Sequence, residues 1–173
     1  MARQMGPGQF GGMFDPALQQ VLTAAFQSVG ADEGTVWIAD PEEEYLHPIY
    51  NSGPHATQLV GVYKQPLQEG IISMVYANQQ AFLENDVGRN SRHSKRVDAL
   101  LGKRTEAMMA VPLQVCGQGK GVISCVQLNE QTSSAPTRHF KSELLVIVQR
   151  AADVIGRCID HGLISRAIGW SNH

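Results

Sequence analysis

Six of the chain's 14 basic side chains fall within ENDVGRNSRHSKRVDALLGKR, residues 84–104: Arg89, Arg92, Lys95, Arg96, Lys103 and Arg104. Guanidinium and ammonium groups pair with carboxylates and phosphates, so the chemistry open to this stretch is anion recognition. Asn85 and Asp86 add two polar groups at its start. Most of the six read as solvated charge balanced by nearby acids. No aromatic residue is interleaved with the basic ones, so there is no stacking platform for a single strand. With a net charge of −2 the chain has no global field for nucleic acid either, and nucleic acid is excluded as a partner.

The remaining reactive side chains are sparse. Cys116, Cys125 and Cys158 form an odd set without a C-x-x-C pair, which points to reduced thiols in a cytoplasmic protein. Cys116 and Cys125 are separated along a predicted hairpin, out of reach of an easy disulfide. No His/Cys/Asp/Glu spacing reads as a zinc site, and no Ser-His-Asp arrangement can be argued, so no catalytic or metal-binding residue is assigned. His47, His55 and His93 read as surface histidines. Nothing approaches the ~18–20 apolar residues of a membrane span, so a membrane is excluded as a partner.

The elements that must position these groups follow from patterning. Residues 1–14, with four glycines, read as a flexible leader before a single domain over 15–168 and a short tail at 169–173. Asp15 caps and Pro16 opens a helix whose apolar face is Leu18, Val21, Leu22, Ala25, Phe26 and Val29, closed by Gly30. GTVWIAD (34–40) is a strand, and Trp37 shares one face of it with Thr35 and Ala39. YLHPIYNS is a second strand in which Pro48 demands an edge or a bulge. A loop over 53–70, a short helix from Ile71, a short strand QAFLEND and a helical turn at 94–101 complete the middle of the chain.

EAMMAVPLQVC-GQGK-GVISCVQLN is a β-hairpin with a four-residue turn. Setting Cys116 opposite Gly121 puts Met109, Val111, Leu113 and Val115 on one face with Val122, Ser124, Val126 and Leu128. Met108, Ala110, Pro112 and Gln114 then share the other face with Ile123, Cys125, Gln127 and Asn129. The second face mixes small and polar groups, as a pocket wall does, so Cys125 and Gln127 join the candidate ligand-binding residues. After a polar connector, QTSSAPT, the pattern from 138 to 168 is helical and would span about 46 Å. Its apolar stripe from Leu144 to Ile168 is wider than one sheet face requires, which predicts a homodimer through this helix.

Three phrases in order, PLQEGIISMV, QAFLENDV and AVPLQVCGQGKGVISCVQLN, resemble the GAF domain over roughly residues 15–165. The resemblance implies an α+β sandwich. Its central antiparallel sheet has five or six strands, with the first and last helices on one face. A loop-and-helix excursion on the other face encloses a small-molecule pocket, and residues 84–104 become its lid. The implied function is a sensory or regulatory domain. A small molecule binds at Trp37, Asn85, Asp86, Arg92, Arg96, Cys125 and Gln127, and the C-terminal helix signals to an output domain or partner protein. Of the family's cyclic-nucleotide signature, Asn129, Phe140 and Glu143 fit. Glu130 replaces the lysine and Ser142 stands nearest the aspartate, so a cyclic nucleotide is carried only as a candidate with an incomplete signature. No cysteine has the context for a covalent bilin, which is rejected. Two alternatives are kept: a redox enzyme resembling the free methionine sulfoxide reductases, and a ligand-free dimerisation module.

Overall fold

The computed structural model describes residues 5–130 and 138–169, so the connector QTSSAPT and most of the tail lie outside the described residues. Six strands form one antiparallel sheet in the order β3-β2-β1-β6-β5-β4. They are β1 (Glu33–Ala39), β2 (Tyr45–Asn51), β3 (Gln65–Pro66), β4 (Phe82–Glu84), β5 (Lys103–Val115) and β6 (Gln118–Glu130). Helices α2 (Pro16–Ser28) and α6 (Leu145–Ala167) cover one face. The other face lies under α4 (Ile71–Asn78), α5 (Arg96–Leu101) and the segments around them, with α3 (Ala56–Leu59) alongside β2.

Local chemistry accounts for the element ends. The Asp15 side chain accepts from the Leu18 amide at 2.8 Å and Pro16 sits at the first helical position. Cys116 and Gly117 both have positive φ, 51° and 69°, and make the two-residue turn that returns β5 into β6. The face bearing Val36, Ile38, Met109, Val111, Leu113, Ile123 and Cys125 packs against Leu22, Phe26, Ile155 and Ile159 as one apolar core. Gly156 lets α6 lie directly on β5, because a Cβ there would stand 2.3 Å from the Gln114 carbonyl oxygen. The opposite face carries a smaller cluster of Trp37, Ala39, Leu46, Ala110 and Val122 under Ile72 and Val75.

Three expectations are corrected. The leader contains a helical turn, α1 (Pro7–Gly11), whose Phe10 is fully buried, and Phe14 stacks on Tyr50 with centroids 6.2 Å apart. Those two aromatic rings find the helix side of the sheet, and the glycines between them do not prevent it. The terminal helix starts at Leu145, after a single 3₁₀ turn over Ser142–Leu144, so it is about 34 Å long rather than 46 Å. The hairpin turn is two residues, pairing Val115 with Gln118, and a bulge between Leu113 and Gln114 absorbs Lys120. That extra residue inverts the face of β6 relative to β5 over Ala107–Leu113, until a second irregularity between Thr105 and Ala107 restores the parity and turns Thr105 to the same side as Met108. Ile123 and Cys125 therefore share the helix side with Met109 and Val111, while Val122 and Ser124 share the opposite side with Ala110. Pro48 sits where β2 bulges, since Val36 pairs with Tyr50 but Trp37 pairs with Pro48.

Candidate functional site

A cavity of about 60 Å³ lies between the sheet and the excursion. Its floor is the side of β1, β5 and β6 that carries Glu33, Thr35, Trp37, Thr105, Met108, Ser124 and Val126. Strand alternation places Glu33, Thr35 and Trp37 there together at i, i+2 and i+4. Gly70, Ile71, Ile72, His93, Ser94, Val97, Asp98 and Leu101 come from the excursion and form the roof and walls.

Polar groups of the floor are tied into short networks. Trp37 Nε1 donates to Ser124 Oγ at 2.9 Å, and the Trp37 ring meets Tyr63 edge-on at 6.2 Å. Tyr63 OH donates to Gln65 Oε1 at 2.7 Å; burial pushes the phenol up to about 12, so it stays a neutral donor. The turn after β2 wraps Glu33. Asn51 Nδ2 donates to Glu33 Oε2 at 3.1 Å and to Thr35 Oγ1 at 2.9 Å, and His55 Nδ1 contacts Glu33 Oε1. Gly53 closes over the same side chain, where a Cβ would lie 2.2 Å from Glu33 Cγ. Glu33 is 3% exposed.

On the other wall, Asp98 of α5 accepts from Thr105 Oγ1 at 2.6 Å and the Thr105 amide at 3.0 Å, with His93 Nε2 3.1 Å away. Burial opposes ionisation of Asp98, but these donors outweigh it and hold the carboxyl below its ordinary range. The lid is thereby fastened to the first residues of β5.

Of the seven residues expected to bind ligand, the structure brings only Trp37 to the cavity. Arg92 lines an outer hollow that shares Gly70, His93 and Ser94 with the cavity, and its guanidinium rests on Met74 Sδ at 2.9 Å. Arg96 points outward and pairs with Glu69. Asp86 pairs with Arg89 at 3.3 Å on the surface. Asn85 is engaged elsewhere: its Nδ2 donates to the Phe140 carbonyl at 3.0 Å and its Oδ1 accepts the Phe140 amide at 2.8 Å. Cys125 and Gln127 stand on the helix side of the sheet because of the β6 inversion, and Gln127 Nε2 donates to the Gly30 carbonyl at 3.1 Å. Lys103 lines the cavity but pairs with Glu130 at its rim, Arg104 pairs with Glu106, and most of the basic cluster is balanced charge outside the cavity.

Of the polar residues that line the cavity, Glu33, Asn51, Gln65, Asp98, Thr105 and Ser124 were not expected from sequence to bind ligand, and His93 was read as a surface group. Extending the alternation from Thr35 and Trp37 back by two would have found Glu33. His55 and His93 are not surface groups, with side chains 16% and 7% exposed. The cysteines all lie away from the cavity. Cys125 is buried under the helices, and that burial pushes its thiol far up. At Cys116, partial burial and the Asp160 carboxylate push the thiol up as well.

The sequence profile of the GAF domain matches residues 14–159. This chain belongs to the GAF domain family. Solved structures with the same fold include the GAF domain of a phosphoenolpyruvate-protein phosphotransferase from Coxiella burnetii. That domain is 21% identical, with TM-score 0.71, covering 90% of this chain and 88% of that one. GAF-B of DevS from Mycobacterium smegmatis is 19% identical, with TM-score 0.62, over 89% and 99%. A free methionine-R-sulfoxide reductase from Neisseria meningitidis, solved with its substrate, is 15% identical, with TM-score 0.58, over 83% and 84%. A comparison with curated proteins finds no match. At these identities the structural likeness concerns the fold. Sensory and regulatory modules make up most of the GAF family, and sulfoxide reductases share its architecture. No helix among the described residues is long and apolar enough to cross a membrane.

Proposed function

We propose that this GAF domain is a non-enzymatic sensor. A small molecule enters the cavity above Trp37 and Ser124, and the lid passes its presence to α6. The observation that carries this reading is the cavity itself. Buried polar groups from the sheet converge on it with an apolar roof, and the roof belongs to segments held by a few side-chain latches. Asn85 supports the transmission route. It lies at the start of the lid, and its amide grips the backbone of Phe140, five residues before α6. A shift of the lid would pull on that grip, and the ligand would act by favouring one of two lid positions.

The outward face of α6 presents Val146, Val154 and Ile164, continued by Ile168 at its C-cap, and Val21 of α2 is exposed as well. We assign the homodimer contact to this face. Ile155 and Ile159 are 1% exposed against the sheet and belong to the core instead. The redox alternative is disfavoured, because no cysteine lines the cavity and two thiols are pushed toward their protonated form. The three free thiols suit a reducing cytoplasm.

Native mass spectrometry of the purified chain tests the sensor and dimer readings together. The expected result is a dimer with a retained small molecule, the dimer lost in Val154→Glu and the retained mass lost in Ser124→Leu. A dimer without any bound mass, with identical lid hydrogen exchange in wild type and Ser124→Leu, would favour the ligand-free dimerisation module. Turnover of free methionine sulfoxide that disappears in Cys116→Ser or Cys125→Ser would establish the enzyme.

A further inference from the structure

We infer that the ligand of this cavity carries a small ammonium group held by Glu33. The inference rests on the cavity being a ligand site, as proposed above. Glu33 is a built acceptor: a carboxylate folded under Gly53 and approached by Asn51 Nδ2 and His55 Nδ1. A carboxylate has about four lone-pair sites, and the protein occupies two of them. Asp98, the other carboxylate on the cavity, already receives three contacts from Thr105 and His93.

The charge balance points the same way. A buried carboxylate is costly unless a cation or several donors compensate it. Lys103 lines the cavity, but its ammonium is engaged by Glu130 at the rim. Arg96 faces Glu69 outside, and Arg92 lies in the outer hollow. His55, the partner of Glu33 from outside the cavity wall, brings positive charge only when protonated, and His93 on the wall already faces Asp98.

Beside Glu33, Thr35 and Ser124 are direct partners across β1 and β6. Each hydroxyl oxygen accepts one hydrogen bond, from Asn51 and Trp37 respectively, and keeps a second lone pair. An ammonium has three N–H donors, and Glu33, Thr35 and Ser124 supply three acceptors on one side of the cavity. Ile71, Ile72, Val97 and Leu101 face them and take an alkyl end. The space between the sheet and the excursion is confined, which suits a small ligand. An anion would meet Glu33 as a repulsive group. A neutral alcohol would leave its charge uncompensated.

The test uses calorimetry and thermal shift on the full chain near pH 7 at constant ionic strength. Methylammonium, ethylammonium and ethanolamine are compared with sodium acetate and ethanol. The ammonium probes should bind and raise the melting midpoint, whereas acetate and ethanol should not. Glu33→Gln should weaken ammonium binding about 10- to 100-fold, the range for losing a charged hydrogen-bond partner. Gly53→Ala pushes the same carboxylate aside without changing the charge count, and should act in the same direction. Ser124→Ala removes one acceptor, keeps the fold, and should weaken binding only several-fold.

Acetate binding as well as ethylammonium overturns the ammonium assignment, and so does ammonium binding unchanged in Glu33→Gln and Ser124→Ala. In either case the sensor reading stands if Ser124→Leu, which fills the cavity, abolishes the binding that is seen. If no probe binds wild type, the ammonium assignment falls. If, in addition, no retained mass is found, the sensor reading falls with it.

Discussion

Ile123 and Ser124 are neighbours in β6, yet they serve different halves of the molecule. Ile123 is fully buried among the side chains of α2 and α6, and Ser124 accepts the Trp37 indole N–H at the cavity floor. The helix face is apolar across its centre and close-packed, with Gly156 bringing α6 onto β5. The cavity face interleaves Glu33, Thr35, Ser124 and Thr105 with Trp37, Met108 and Val126. One strand can supply both because its side chains alternate. The difference teaches where stability and function separate: the first face holds the fold, and the second is free to carry polar groups that a core could not tolerate.

Substitutions on the two faces can break or sharpen that contrast. The largest effect is expected from Ile123→Ala, which should cost about 2–5 kcal/mol in denaturant unfolding as a cavity opens under the helices. A loss below that of Ser124→Ala would end the division of labour between the faces. Next comes Asn85→Ala, which leaves the Phe140 amide and carbonyl without partners and should cost about 1–3 kcal/mol. It should also raise hydrogen exchange at the start of α6, and no change there would remove Asn85 from the transmission route. Ser124→Ala should cost about 1 kcal/mol, because the Trp37 N–H loses its acceptor within a site that already has space.

Asp98 offers a pH test of the lid latch. Its carboxyl is held below the ordinary range in the folded chain, so it binds fewer protons there than in the unfolded chain. It therefore contributes stability above its unfolded value of about 3.9, and that contribution is lost as pH falls through its lower folded value. Asp98→Asn should flatten the acid limb of stability below about pH 4 and speed exchange of the lid amides. An unchanged acid limb would show that the latch is not charged. The smallest effect is expected from Arg96→Ala. Its partner Glu69 is also solvent-accessible, so melting should shift by the equivalent of only about 0–1 kcal/mol. A larger loss would mean that the surface pair braces the cavity roof.

Much of the frame was legible in advance because its signals are local. The Asp15-Pro16 cap and the alternation in β1, β5 and β6 each lie within 13 residues. So does the apolar period of α6, and together with the order of the three phrases these signals pointed to the GAF architecture that the family match shows. The site was much less legible. The Arg92 and Arg96 expectation rested on composition, and charge alone does not say whether a long side chain turns toward solvent or a cavity. Cys125 and Gln127 were placed by counting from an assumed turn, and one bulged residue reversed the count.

By itself the amino-acid sequence determined the order of the longer strands and helices and which residues alternate along each strand, but not α1, nor α3 and β3 within the expected 53–70 loop. Tertiary structure alone decided which set of β6 residues joins which set of β5, because parity across a hairpin depends on a single residue absorbed at Lys120. It also decided that Glu33 would be enclosed by Asn51, Gly53 and His55, 18 to 22 positions away, and that Asn85 would hold Phe140 across 55 positions. Contacts at such separations form only when the sheet has closed. They follow from the packing of whole elements, and no short window of sequence carries their signature.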